Sequence, residues 1–172
     1  MNIRPAGAAD AAAIAAIWNP VIRETEVTFN SVGKSDAEIA RMIGAKADAG
    51  HAFLVAEERG TLAGFAHYGQ FRAGAGYART MEHTIILSPG ARGKGIGRWL
   101  LAAIEHHAAV RGAHTMFAGV SSGNPAGRAF HARMGYAQVA TLPEVGWKFG
   151  RWFDLHLMRK RLGMTDSAGG TG

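Results

Sequence analysis

A chain of 172 residues, 48% of them apolar, is long enough to bury one ordinary core, and nothing in it asks for a second domain. It has no cysteine, which excludes disulfides, thiolate metal sites and acyl transfer through a cysteinyl intermediate. The net charge of +6 predicts attraction to nucleic acid, an anionic membrane surface or a small phosphate-rich ligand, but the basic residues are scattered, with no solid block of five, which disfavours a nucleic-acid tail. The opening MNIRPAGAAD carries no apolar run behind a basic start, and no stretch approaches the roughly 20 apolar residues of a membrane span, so a cytoplasmic location without membrane partners is expected.

In chain order, Met1 to Pro5 reads as a strand. A helix follows in which Ile14, Ile17, Trp18 and Val21 share one face, and Pro20 is expected to end it or nearly so. Ser35 and Glu38 form a capping-box pattern that opens a second helix to about Ala47. HAFLVAEE and TLAGFAHYGQF, separated at Arg59-Gly60, read as a hairpin. Another strand is expected from about Tyr77 to Leu87, stopped by Ser88-Pro89-Gly90. Gly95 to Arg111 reads as a helix presenting Leu100 and Ile104, closed by Gly112. A short buried strand spans His114 to Val120, and a helix from Asn124 to Met134 ends at Gly135. The last strands run from Tyr136 to about Leu142 and from Arg151 to about Met158, and residues 164–172 read as a disordered tail after one domain over residues 1–163. The sum is an α/β (α+β layered) domain with a mixed sheet covered by helices.

The segment after the Leu87 strand carries the clearest chemistry. Arg92-Gly93-Lys94-Gly95-Ile96-Gly97-Arg98 leads straight into a helix, where glycines admit close approach, outward N–H groups meet the positive end of the helix, and three cations supply countercharge. That is a pyrophosphate cradle, although a plain glycine turn also explains it. A dinucleotide fingerprint fails because Arg98 stands where a third glycine is needed, and a Walker loop fails because Lys94 precedes Gly95. Glu82, five residues before the strand end, is a candidate general base, and its plain alternative is a solvent-facing strand residue. Alternation puts Thr80, Glu82, Thr84 and Ile86 on one face and Met81, His83, Ile85 and Leu87 on the other. The histidines at 51, 67, 106, 107, 114 and 156 show no metal spacing, and no metal is expected.

SPGARGKGIGRWLL resembles the acetyl-CoA pyrophosphate loop of GNAT-family acetyltransferases, R/Q-x-x-G-x-G/A, met by Arg92, Gly95 and Gly97. FRAGAGYARTMEHTIIL, GNPAGRAFHARMGY and LPEVGWKFGRWFDL resemble the phosphinothricin and methionine sulfoximine acetyltransferase branch. The resemblance implies a sheet of about seven strands, helices on both faces, splayed at the fourth and fifth strands. It implies acetyl-CoA as cosubstrate, its pantetheine along Ile85, Ile86 and Leu87 and its pyrophosphate on Arg92, Gly93, Lys94, Gly95, Ile96, Gly97 and Arg98. The Leu87 N–H becomes the oxyanion donor and Asn124 a cofactor contact as well as a helix cap. Glu82 becomes the base, acting directly or through water.

On the acceptor side, Arg72 is implied to hold the acid group of a small amino-acid-like amine, with Ala73, Gly74, Tyr77, Glu82, His83 and Thr84 around it. The small residues between Arg72 and Tyr77 depart from the bulkier ones usual in the branch and suggest a wider pocket. His131 lies seven residues after Asn124 on nearly the same helical face, and the resemblance implies that it either protonates the leaving thiolate or packs near the cofactor sulfur. Trp147, Lys148, Phe149 and Trp152 form an aromatic and basic cluster that the resemblance implies helps build a homodimer and approaches the substrate site, although a final hairpin and its core also explain it. The rival readings are transfer to another amine, such as a protein N-terminus, lysine or polyamine, a nucleic-acid-binding module, and an acyl-CoA-binding regulator without turnover.

Overall fold

The computed structural model describes residues 1–163; the tail predicted at 164–172 lies outside them. Its sheet comprises β1 (Asn2–Pro5), β2 (Phe53–Glu58), β3 (Thr61–Gln70), β4 (Thr80–Leu87), β5 (Thr115–Ser121), β6 (Ala137–Lys148) and β7 (Arg151–Arg161). The spatial order is β1-β2-β3-β4-β5-β7-β6, and only the central β4–β5 pair is parallel.

Helices α1 (Ala11–Glu24) and α2 (Asp36–Asp48) cover one face, where Ile14, Trp18, Ile22 and Ile39 pack on Phe53, Val55, Phe65 and Ile86. Helix α3 (Ile96–Val110) covers the other, where Leu100, Leu101 and Ile104 pack on Tyr68, Met81 and Met116, and α4 (Pro125–Arg133) adds Phe130 to that layer. Burying each large aliphatic side chain contributes about 1.5–3 kcal/mol, so the two layers fix the sheet between them. Among the described residues, no helix is long and apolar enough to cross a membrane.

Local rules account for most boundaries. Ser35 Oγ accepts the Glu38 N–H at 3.2 Å, and the Glu38 carboxylate accepts the Ser35 N–H at 2.7 Å, completing the capping box. Arg59-Gly60 and Phe149-Gly150 form two-residue turns with positive φ at both positions, 53° and 77° in the first and 52° and 72° in the second, which match the twist of a hairpin.

Three expectations need correction. Helix α1 runs through Pro20 to Glu24. An interior proline costs about 3 kcal/mol, and burial of Val21 and Ile22 just beyond it offsets that loss. Strand β4 begins at Thr80 rather than Tyr77, because Gly74 takes φ 107° and Ala75–Tyr77 coils into a 3-10 turn. The Gln70 side-chain amide fixes that loop by donating to the carbonyls of Arg72 and Gly74 at 2.7 and 2.8 Å. Strand β6 continues past Leu142 to Lys148, since Pro143 falls in an irregularity between Leu142 and Gly146, where Glu144 has φ 50° and its N–H bonds the Asp154 carboxylate at 2.9 Å.

Candidate active site

The parallel pairing of β4 with β5 stops after Thr80↔Thr115, Met81↔Met116 and Glu82↔Phe117. Strand β4 nevertheless continues against β3 to Leu87, and β5 continues against β7 to Ser121, so the two diverge beyond Glu82. The Thr80 carbonyl accepts from Phe71 and the Ser88 N–H donates to Ala63, both in the direction of β3. Alternation therefore turns the backbone groups of residues 83, 85 and 87 toward the opening. An unpaired strand edge in the middle of a sheet is a template for an extended, amide-bearing ligand.

At the end of this edge, Gly93 and Gly95 take φ 75° and 80°, conformations that side chains resist. Gly95 is the N-cap of α3 and carries no side-chain cap bond, leaving first-turn N–H groups for an external acceptor. A cavity of about 990 Å³ lies between Ile85, Ile86, Leu87 and the 92–98 loop on one side and Asn124, Phe130 and His131 on the other. Of the predicted cofactor residues, Lys94 alone does not line it; its ammonium pairs with Glu58 at 3.2 Å. Asn124 caps α4, its side-chain oxygen accepting the Gly127 N–H at 2.9 Å.

A second cavity of about 260 Å³ shares Val27, Ile85, Ile86, Asn124 and His131 with the first. Glu82 and Thr84 line it. A side chain at Gly119 would begin 3.2 Å from the Glu82 carboxylate, so a glycine in mid-strand on β5 makes room for that group. Burial pushes the Glu82 carboxyl above its ordinary pKa, opposed by the nearby charges of Arg72 and Lys46.

His131 Nδ1 stands 2.8 Å from the Gly127 carbonyl. A carbonyl only accepts, so Nδ1 carries the proton, and in the neutral ring Nε2 is a lone pair, buried and without a partner among the described residues. Burial pulls the His131 pKa down, which favours this neutral form. The resting ring is thus a proton acceptor; to protonate a thiolate it must first take up a proton. His83 borders the smaller cavity, but its ring packs 5.1 Å from His131 and 5.6 Å from Tyr136.

The model of the acetyltransferase (GNAT) family matches residues 18–136. The chain belongs to that family. This GNAT acetyltransferase is 40% identical over 163 residues to the L-amino acid N-acyltransferase MnaT of Escherichia coli (strain K12), covering 94% of both chains. It is 38% identical over 168 residues to an L-methionine sulfoximine/L-methionine sulfone acetyltransferase of Pseudomonas paraeruginosa, covering 97% of this chain and 98% of that one. Its fold matches a GNAT superfamily phosphinothricin acetyltransferase from Sinorhizobium meliloti in complex with AcCoA, with TM-score 0.90, 32% identity and coverage of 99% of this chain and 92% of that one. The protein is an acetyl-CoA-dependent N-acetyltransferase.

In the GNAT acetyltransferase structure, neither Arg72 nor Ala73, Gly74 or Tyr77 lines the smaller cavity. They lie in the exposed loop ahead of β4, where the Arg72 guanidinium sits 5.2 Å from the Phe71 ring and Phe71 stacks at 4.6 Å on Phe117, the register partner of Glu82. Sequence reasoning missed Trp18, Thr28, Phe29, Ser121 and Leu155 in the chamber wall, and Lys46 as a charge acting on Glu82. Gly119 inside a short apolar strand was the available signal; the segment at 27–29, before the capping box, gave none.

Proposed function

We propose that this enzyme acetylates the α-amine of a small amino-acid-like acid of the phosphinothricin, methionine sulfoximine or methionine sulfone type. The observation that carries the reading is the desolvated Glu82 carboxyl in a 260 Å³ chamber that shares a wall with the larger cavity. A chamber of that size takes a small amino acid, and the cations of Arg72 and Lys46 near Glu82 favour an acceptor that carries an acid group. The names of the similar proteins support the same substrate class.

The larger cavity would hold acetyl-CoA, which supplies the activated acetyl thioester. Arg92, Gly93 and Gly95 to Arg98 hold its phosphates, and Ile85 to Leu87 present the open edge to its amides. Glu82 removes the proton that blocks the amine lone pair, and the Leu87 N–H polarises the thioester carbonyl. As the C–N bond forms and the C–S bond breaks, the second proton that the amine nitrogen sheds goes to the Nε2 lone pair of His131, which passes it to the departing thiolate. We place the enzyme in the cytoplasm and as a homodimer; exposed Val145, Trp147, Phe149 and Trp152 on β6, β7 and their turn support self-association.

The test is free-thiol release from acetyl-CoA with phosphinothricin, methionine sulfoximine, methionine sulfone, the ordinary amino acids, an alanine-ended peptide and spermidine, against a control without amine. Turnover concentrated on the small acidic amines is expected. Turnover with only the peptide or spermidine overturns the substrate class while leaving the acetyl donor in place.

A further inference from the structure

Lys148, the last residue of β6, is 3% exposed. Its ammonium donates to the carbonyls of Ile22, Thr25 and Thr28 at 2.6, 2.7 and 2.7 Å, which uses all three of its N–H groups. Among the described residues it has no carboxylate within ion-pair distance. What balances the charge is the end of α1: Ile22 is among the last residues of that helix, whose terminal carbonyls lack helical partners and carry the negative end of its dipole. Thr25 Oγ1 caps the preceding carbonyl, that of Val21, at 2.7 Å.

The acceptors lie at the end of α1 and in the short segment that follows it, and of the three Thr28 itself lines the smaller cavity. Val27, Thr28 and Phe29 all line that cavity, and Val27 also borders the larger one. The hairpin that carries Lys148 grips the segment at two more places. Phe153 stacks on Phe29 at 6.2 Å, while Gly146 leaves room for the Phe29 ring, since a side chain there would overlap it. Arg151 pairs with Glu26. A lysine buried without a counterion is a poor way to gain stability, because removing its ammonium from water opposes the hydrogen bonds it makes. An apolar residue would pack there without that penalty, but it would leave residues 25–28 without an anchor.

We propose that Lys148 is a positioning residue for the acceptor amine: its ammonium locks residues 25–29 into the wall of the smaller chamber and so couples the β6–β7 hairpin to acceptor binding. The inference rests on the reading of that chamber as the acceptor site. Lys148 makes no contact with the reacting atoms, and of residues 25–29 only Val27 also borders the larger cavity, whose loop and open edge on β4 and α3 lie outside the anchored segment.

The test substitutes Lys148→Met, which keeps most of the stem and removes the three donors. The KM for the amine should rise about tenfold or more, while kcat at saturating amine and the KM for acetyl-CoA change less than about threefold. Hydrogen–deuterium exchange should rise in residues 22–29 and stay unchanged in α3. An unaltered amine KM, an equal rise in both KM values, or unchanged exchange in residues 22–29 overturns the proposal. Should Lys148→Met fail to fold, Arg151→Met loosens the same segment from an exposed position and should raise the amine KM alone by about threefold; no change there also overturns it. Failure of the chamber assignment shows separately, as full turnover by Glu82→Gln, and the exchange result still decides whether Lys148 anchors the segment.

Discussion

Replacing Glu82 by Gln should lower kcat/KM for the amine by about 10²–10⁴-fold at neutral pH and leave acetyl-CoA affinity within about twofold. The change keeps the shape and removes the negative charge together with the ability to take up a proton, at a residue that lines the smaller cavity and not the larger one. The pH dependence gives a second reading. Burial raises the Glu82 pKa, so the wild-type rate should fall as pH drops through a value above that of an ordinary glutamate, and the variant should lose this limb of the profile. The sign for stability is opposite to that for activity. A carboxylate whose folded pKa is raised is held in its charged form at the expense of the fold above that pKa, so Glu82→Gln should raise the thermal midpoint at pH 7. Wild-type turnover across the pH range would remove Glu82 as the base; a lower midpoint would mean that its role is structural.

The second large effect is expected at Gly95, the left-handed N-cap of α3 with φ 80°. Gly95→Ala places a Cβ in a conformation that costs about 1–2 kcal/mol, and the loop can relieve it only by moving the first-turn N–H groups of α3. Acetyl-CoA affinity should fall about 10–100-fold, measured by calorimetry and by the KM for the thioester. Gly60→Ala is the matched control: its φ of 77° is nearly the same, no side chain lies within 4 Å of the new methyl, and it sits in the remote β2–β3 turn. Both variants should lose similar stability, but only Gly95→Ala should lose the cofactor. Equal affinities in the two would sink the cradle assignment.

The comparison of these residues shows what a sequence exposes. The Arg92 to Gly97 loop was legible because its chemistry is backbone chemistry, written in contiguous glycines at a helix start. The capping box at Ser35 and the turn at Arg59-Gly60 were legible for the same local reason. The smaller cavity was not, because its wall is assembled from α1, the segment after it, β4, β5 and β7, and only the sheet order brings them together. Alternation along β4 puts Glu82 and His83 on opposite faces, yet both border the smaller cavity, and no spacing rule reports that Lys148 reaches back to Ile22. Pro20 misled because packing overrides the local rule it breaks, and the strand expected to stop at about Leu142 continues through an irregularity that contains Pro143.

The divergence of β4 from β5 also bears on how long the folded protein survives. A seam left unzipped in the middle of a sheet is a weak point until something lies along it, and on the function proposed above that something is the acetyl donor. Whatever binds only the folded chain adds to its stability, by about 2.7 kcal/mol at a hundredfold excess over the dissociation constant. Resistance to heat and proteases should therefore climb with the acetyl-CoA concentration, and a thermal midpoint that stays flat across a titration would show that the seam is held shut by the protein alone. In a cell starved of acetyl groups, the enzyme would be degraded faster, so that the amount of catalyst follows the supply of what it consumes.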